Sequence, residues 1–447
     1  MTVQSHTMEN VDLIINARWL VPIAPANVVL EHYSVIIHQG DIVALMPQTE
    51  AKQKYTANSE QHYDQHCVMP GLINNHNHAA MSLFRGLADD LPLMTWLNNH
   101  IWPAEKRWIS DSFVEAGSEL AIAEMIRGGT TCFNDMYFFP DATGRVADQS
   151  GIRANLGMVV IDFPSAWAAD TEEYLHKGQQ LHDRYRRHER ITTSYAPHAP
   201  YTVSDDTLAK VIMNAEELDV TIHMHIHETV GEISQSIEQY GFRPLERLHN
   251  LGLLSPRLTA VHMTQLNEQE MSLCADNGIH ITHCPESNLK LASGFCPVAK
   301  LDQQGINITL GTDGAASNND LDMFAEIKQT ALLAKAVAQD ASAIPAHKAL
   351  EMATINAAKA LGLDDKIGSV EVGKSADLIA VDLSRIESQP CYDIISQLVY
   401  ATGRDQVTDV WVSGKQLLKD RQLTTMNLSK IIQNTHQWAE KIRHEDP

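Results

Sequence analysis

Through the middle of this chain, short β-branched apolar runs alternate with helical stretches, and this alternation constrains the fold more than any other feature. Eight such runs can be counted: CVMPGLI before Asn74, TTCFNDMYF, RANLGMVVID, RITTSYAP, VTIHMHIH, LTAVHM, HITHCP and NITLGTD. Helical segments such as SFVEAGSELAIAEMIRGG and DDTLAKVIMNAEEL lie between them. In the first of these, Ser112 with Glu115 three residues on reads as a capping box, and Gly128-Gly129 as a stop. Strand, helix, strand repeated in this way builds a parallel sheet, and eight repeats over roughly 300 residues suit a closed (β/α)8 barrel.

The flanks have a different texture. VDLIINARWLVPI and HYSVIIHQGDIVALM near the start, and SADLIAVDL and DVWVSGKQLL near the end, read as strands broken by the turns Gly40-Asp41 and Ser413-Gly414. Strand-rich segments at both ends predict one small β-sandwich with the barrel inserted between its halves. The expected division is 1–66 for the first part of the sandwich, 67–366 for the barrel, and 367–447 for the second part with a closing amphipathic helix around Leu428–Arg443. A net charge of −22 repels phosphate backbones, so nucleic acid is not an expected partner. The six cysteines (Cys67, Cys132, Cys274, Cys284, Cys296 and Cys391) lack CxxC spacing and read as reduced. The opening MTVQSHTMENVDLIIN has no basic-then-apolar leader pattern, and no apolar run has membrane-span length. A cytoplasmic protein without a membrane partner is the default expectation.

In a barrel of this type the chemistry sits at the C-terminal ends of the strands. Four of the candidate strands end in His76-Asn77-His78, in the HMHIHE run, in His262, and in Asp313 of LGTDGAASNN. His76 and His78, two apart on a strand, face one side and can share an ion. His223, His225 and His227 also share a face, and spacing does not choose among them. Glu228 follows on the opposite face unless the strand has turned; at the mouth of a metal site it could move a proton from water to a leaving nitrogen. Asp313 could complete a three-histidine, one-carboxylate shell and accept a proton from attacking water. The glycines at 311 and 314 would let backbone approach a ligand. His262 could orient and polarise the water or the substrate. Taken singly, each has a bland explanation: loop histidines, a solvated strand-end glutamate, a satisfied core histidine, an Asx-turn. Taken together, four strand ends of one barrel supply ligand types in order.

The stretches PGLINNHNHAAMSLFRGLADDL, HIHET, SNLKLASGFCPV and TLGTDGAASNNDLDMF resemble the amidohydrolase superfamily, and within it the methylthioadenosine/S-adenosylhomocysteine deaminases. The resemblance implies one divalent metal per subunit, usually Zn²⁺, held by His76, His78, His225 and Asp313. Its HxxE element singles out His225 and makes Glu228 the proton shuttle against the purine ring. His262 would lie by the water, Glu105 of WPAEKRW near the ribose, and His198 of APHAPYT against the substrate. The implied reaction is hydrolytic deamination of an adenosine-type nucleoside to the inosine analogue and ammonia. Relatives often form homodimers or higher assemblies, which leaves room for a homo-oligomer. Where some relatives use arginine to hold the S-adenosylhomocysteine carboxylate, Met158 stands here, which favours 5′-methylthioadenosine over that substrate, with adenosine as another. The alternatives are another ring (guanine, a pterin, a triazine) on the same scaffold, or a non-catalytic scaffold.

Overall fold

The computed structural model describes residues 8–444; the opening residues 1–7, part of the segment read above for a leader, lie outside it. Eight parallel strands form one sheet: Leu72–Asn77, Thr130–Asp135, Arg153–Val160, Ile191–Pro197, Ile222–Ile226, Leu258–His262, His280–His283 and Asn307–Leu310. Each pairs with the next, as in Val261 opposite His225 and Thr282 opposite Thr309, and the register shifts between the first and second strands. Helices follow most strands and cover the outside, so the sheet buries both faces and reads as near-continuous apolar runs. This is the (β/α)8 barrel that the alternation predicts.

The first and eighth strands meet through side chains; among the described residues no ladder joins them. Asn74 donates from Nδ2 to Thr312 Oγ1 (2.8 Å) and accepts from the Thr312 amide (3.0 Å), and Asn75 Nδ2 donates to Thr309 Oγ1 (2.9 Å). The Asp313 amide then donates to the His76 carbonyl at 3.0 Å. Both asparagines are buried, and their Nδ2 groups and Asn74 Oδ1 find partners across the joint and close the ring.

The run CVMPGLI is divided between two sheets. Cys67 to Pro70 end the long strand Tyr55–Pro70 of a second sheet, and the barrel begins only at Leu72. That second sheet takes strands from both ends of the chain, in the order Gln422–Leu423, Lys415–Lys419, Val407–Val412, Leu378–Asp382, Tyr55–Pro70, Glu9–Leu20, Leu30–His38, Asp41–Pro47. Leu13, Ile15, Val35, Val68, Leu378 and the fully buried Trp411 form its core. Arg153, at the start of the third barrel strand, reaches across to Asp377 with Nε–Oδ2 2.9 Å and Nη2–Oδ1 3.2 Å, both residues buried.

The helix Asp111–Arg127 begins two residues earlier than its sequence suggests. Ser110, in extended backbone, is the cap and accepts from the Phe113 amide at 3.2 Å, which leaves Ser112 inside the first turn. The C-terminal helix Leu428–His444 lies on it, with Trp438 edge-on to Phe113 at 5.3 Å. Five of the six cysteines are buried, and none is paired. Among the described residues no helix is long and apolar enough to cross a membrane.

Candidate metal centre and its cavity

The residues read from the strand ends meet at the C-terminal mouth of the barrel. His76 lies in the first strand and His78 directly after it, His225 in the fifth, and Asp313 just past the eighth. One ligand atom from each of the four lies within 4.8 Å of every other. His76 Nε2 is 3.2 Å from His225 Nε2 and 3.3 Å from Asp313 Oδ1, and His78 Nε2 is 3.2 Å from that same oxygen. A tetrahedral ion with ligand bonds of about 2.0–2.1 Å has edges of about 3.3–3.4 Å, so these separations are what such an ion needs.

The hydrogen bonds behind the cluster decide its chemistry. His78 Nδ1 donates to the Met136 carbonyl (2.6 Å) and His225 Nδ1 to the His198 carbonyl (2.8 Å). A carbonyl only accepts, so both rings carry the proton on Nδ1 and aim an Nε2 lone pair inward. His78 Nε2 and Asp313 Oδ1 are then two acceptors face to face, an arrangement that calls for a cation between them. Burial opposes charge on His78, yet the Asp313 carboxylate draws the imidazole up to about 9, so the position between them holds either a proton on Nε2 or the cation that would displace it. Burial would likewise raise Asp313, but His76 and His78 hold it well below the usual carboxylate range. His76 goes the other way, pushed down to about 4 by burial. Three imidazoles and one carboxylate with converging lone pairs fit a divalent ion of the zinc type.

Local backbone explains the placement. The strand ends at Ile226, and His227 takes a left-handed φ of 57°, so the chain turns and Glu228 faces the same cavity as His225 instead of the opposite side. His223 does not join the cluster; its Nε2 lies 2.9 Å from His76 Nδ1 and backs that ring. His227 turns away and accepts from the Leu245 amide. His262 and Asp313 also have positive φ, 76° and 61°, a conformation that costs non-glycine residues roughly 1–2 kcal/mol and collects at functional sites. Gly311 does not approach a ligand, as its sequence context suggested. A Cβ there would stand 2.7 Å from the His76 backbone nitrogen, so its absence lets the eighth strand pass the first. Gly314 similarly gives room to the His78 side chain.

Glu228 is buried, which pushes its carboxyl up despite the pull of His262, whose Nε2 is 3.8 Å from Oε2. Above the cluster opens a cavity of about 600 Å³, lined by His78, His225, Glu228, His262 and Asp313 at its floor. Glu105 and His198 line it too. Glu105 accepts from Tyr137 Oη at 2.8 Å and is raised to about 7 by burial; His198, pushed down to about 3 by burial, holds Thr202 Oγ1 at 3.0 Å. The walls are largely apolar, with Trp102, Phe163, Ile161 and Leu97 among them. His76, fully buried, belongs to the ligand cluster, and the other residues expected at the site border this one space.

Met158 does not. It lies in the third strand with its side chain against Gly178 of the outer helix Thr171–Tyr185, while its neighbours Val159 and Ile161 face the cavity. Strand alternation puts Met158 on the helix side, so it says nothing about the substrate tail. Sequence reasoning also missed Tyr137 and the exposed Lys106 on the cavity wall, the latter the one cationic side chain lining it among the described residues apart from the histidines. Lys106 was legible beside Glu105 in WPAEKRW; nothing in the sequence marked Tyr137.

The amidohydrolase family matches residues 67–417. The chain is 49% identical over 432 residues to a 5-methylthioadenosine/S-adenosylhomocysteine deaminase of Teredinibacter turnerae, covering 97% of this chain and 98% of that protein. A zinc-bound adenosine deaminase from Xanthomonas campestris superposes with a TM-score of 0.97 at 52% identity, covering 98% of this chain and all of that one. An atrazine chlorohydrolase from Arthrobacter aurescens shares the fold, with a TM-score of 0.89 at 21% identity over 96% of this chain and 100% of that one.

Proposed function

This chain belongs to the amidohydrolase family, and from that premise we propose that it is a zinc-dependent aminohydrolase of adenine nucleosides, with 5′-methylthioadenosine and adenosine as its first substrates. The observation that carries this is the set of facing lone pairs of His76, His78, His225 and Asp313, with a buried glutamate beside them on the floor of a nucleoside-sized cavity. A divalent ion held by those four residues would acidify a water molecule toward neutral pH.

The rest of the chemistry falls to the chain's own side chains. Adenine C6 carries an amine that must leave as ammonia, so one proton has to reach the ring and another the amine. Burial keeps Glu228 protonated to higher pH than an exposed glutamate, and as an acid it protonates N1, which makes C6 electrophilic. Asp313 accepts a proton from the attacking water as its oxygen bonds to C6. The C6 hydroxyl then returns a proton to Glu228, the proton on Asp313 goes to the amine, and the C–N bond breaks. Both carboxyl groups end as they began. His262 lies beside Glu228 and orients the water. Glu105 and His198 position the nucleoside, and the apolar wall accommodates a methylthio tail.

Purified, metal-analysed protein should convert methylthioadenosine or adenosine to the inosine analogue with equimolar ammonia, followed by ultraviolet absorbance. A metal-loaded sample that turns over guanine but no adenine nucleoside would overturn the substrate assignment.

A further inference from the structure

The SNLKLASG stretch, prominent in the sequence, has no role so far. It forms the short helix Pro285–Lys290 after the seventh barrel strand and the turn behind it. Three of its polar side chains are buried: Ser287 at 0%, Asn288 at 2% and Ser293 at 5% exposure. Each one reaches a different group of the reaction. Ser287 Oγ donates to Asp313 Oδ2 at 2.6 Å. His262 Nδ1 lies 2.8 Å from Asn288 Oδ1. Ser293 Oγ donates to Glu228 Oε1 at 3.4 Å.

We propose that residues 285–293 are a positioning element for the reaction, in which Asn288 holds His262 as the Nδ1–H tautomer with its Nε2 lone pair turned to the attacking water. The inference rests on the reading that Glu228, His262 and Asp313 handle the protons. The carboxamide is itself oriented: its Nδ2 faces His283 Nδ1 at 3.5 Å, and burial keeps that imidazole neutral and able to accept. With the amide nitrogen on the His283 side, Oδ1 faces His262, and an acceptor there requires the proton on Nδ1. Nε2 is then an acceptor on the cavity side, 3.8 Å from Glu228. An unheld imidazole could turn about its Cβ–Cγ bond and present a carbon or the wrong nitrogen to the water. Ser287, together with Ser317 at 2.8 Å, does the equivalent for Asp313 by occupying Oδ2, while Oδ1 accepts from the Gly314 amide at 2.7 Å and faces the histidines. The segment after the sixth strand ties both to the same place, since Thr264 Oγ1 donates to the Glu228 carbonyl at 2.7 Å and Gln265 Nε2 to the Ser293 carbonyl at 2.7 Å.

Asn288 touches neither the substrate nor the four ligand atoms, so it is a positioning residue. The test compares Asn288→Leu, which has no acceptor, with Asn288→Asp, which keeps one, using methylthioadenosine as the probe. The leucine variant should retain its metal content and lose about 10- to 100-fold in kcat. Its KM should stay within about twofold of the wild type. Asn288→Asp should recover most of the rate, since it can still accept from Nδ1–H. Residues that only fill space would change melting temperature or metal content and would not distinguish aspartate from leucine. A folded, metal-loaded leucine variant with wild-type kcat overturns the proposal. Should that variant not fold, ¹⁵N shifts of histidine-labelled wild type, with His262 assigned through His262→Asn, decide the matter: an Nε2–H tautomer at His262 overturns it. Failure of the functional reading looks different. In that case the wild type deaminates no adenine nucleoside, or His262→Ala keeps full turnover.

Discussion

Replacing Glu228 by glutamine isolates one proton. The two side chains are the same size, Glu228 is 6% exposed, and its neighbours are Ser293 Oγ at 3.4 Å and His262 Nε2 at 3.8 Å. Glutamine keeps that packing and can still accept from the serine, so little stability changes hands. It supplies no acid for N1. General acid catalysis of this kind is worth about 10²- to 10⁴-fold, or about 2.7–5.4 kcal/mol of barrier at 1.36 kcal/mol per decade, and kcat should fall by that factor. Metal content should not change, because Glu228 is not among the four converging ligands. The pH profile offers a second reading. The acid form is the active one, and burial raises its pKa, so wild-type turnover should decline as pH rises through that raised value. The glutamine variant should lack that alkaline limb. The assay is absorbance-followed deamination of methylthioadenosine from pH 5 to 10, with metal analysis of each sample. A variant within about threefold of wild-type kcat, with the same alkaline limb, would refute the shuttle role.

Three further outcomes are expected. Gly311→Ala places a methyl group 2.7 Å from the His76 backbone nitrogen, so it should lower both metal content and activity; full metal occupancy would contradict this. Asp377→Ala strands the buried Arg153 guanidinium and should cost about 3–5 kcal/mol in urea unfolding, whereas a loss under about 1 kcal/mol would show that water reaches the pair. Lys106→Met removes the exposed cation at the cavity wall, and kcat/KM for S-adenosylhomocysteine should drop by about two- to fivefold with methylthioadenosine unaffected, an equal loss on both substrates counting against a carboxylate contact.

The candidate ligands were partly legible because metal chemistry and strand periodicity are both local. His76 and His78 two apart and Asp313 between glycines stand out within a few residues. Spacing left His223, His225 and His227 equivalent, and only the resemblance to the family's HxxE element singled out His225. What periodicity could not supply was backbone that leaves the regular pattern. The left-handed turn at His227 brings Glu228 onto the ligand side, and no alternation rule contains it. Met158 failed for the converse reason: the strand there is regular, and its alternation sends that side chain to the helix Thr171–Tyr185. The division of CVMPGLI between two sheets was hidden because either sheet accepts a β-branched run. Supporting residues such as Tyr137 and Asn288 matter through partners distant in sequence (Asn288, after the seventh strand, meets a histidine of the sixth), and a single polar residue does not announce its partner.

The polar joint between the first and eighth strands has a consequence for assembly. His76 and His78 stand on one side of it and Asp313 on the other, so the ion's ligands become neighbours only when the ring completes. A cation held there would add to the hydrogen bonds of Asn74, Asn75 and the Asp313 amide that already join these strands, so its capture and the closing of the barrel would favour each other. Chelation should therefore loosen the scaffold as well as silence it, and metal supply becomes part of how the chain reaches its folded form.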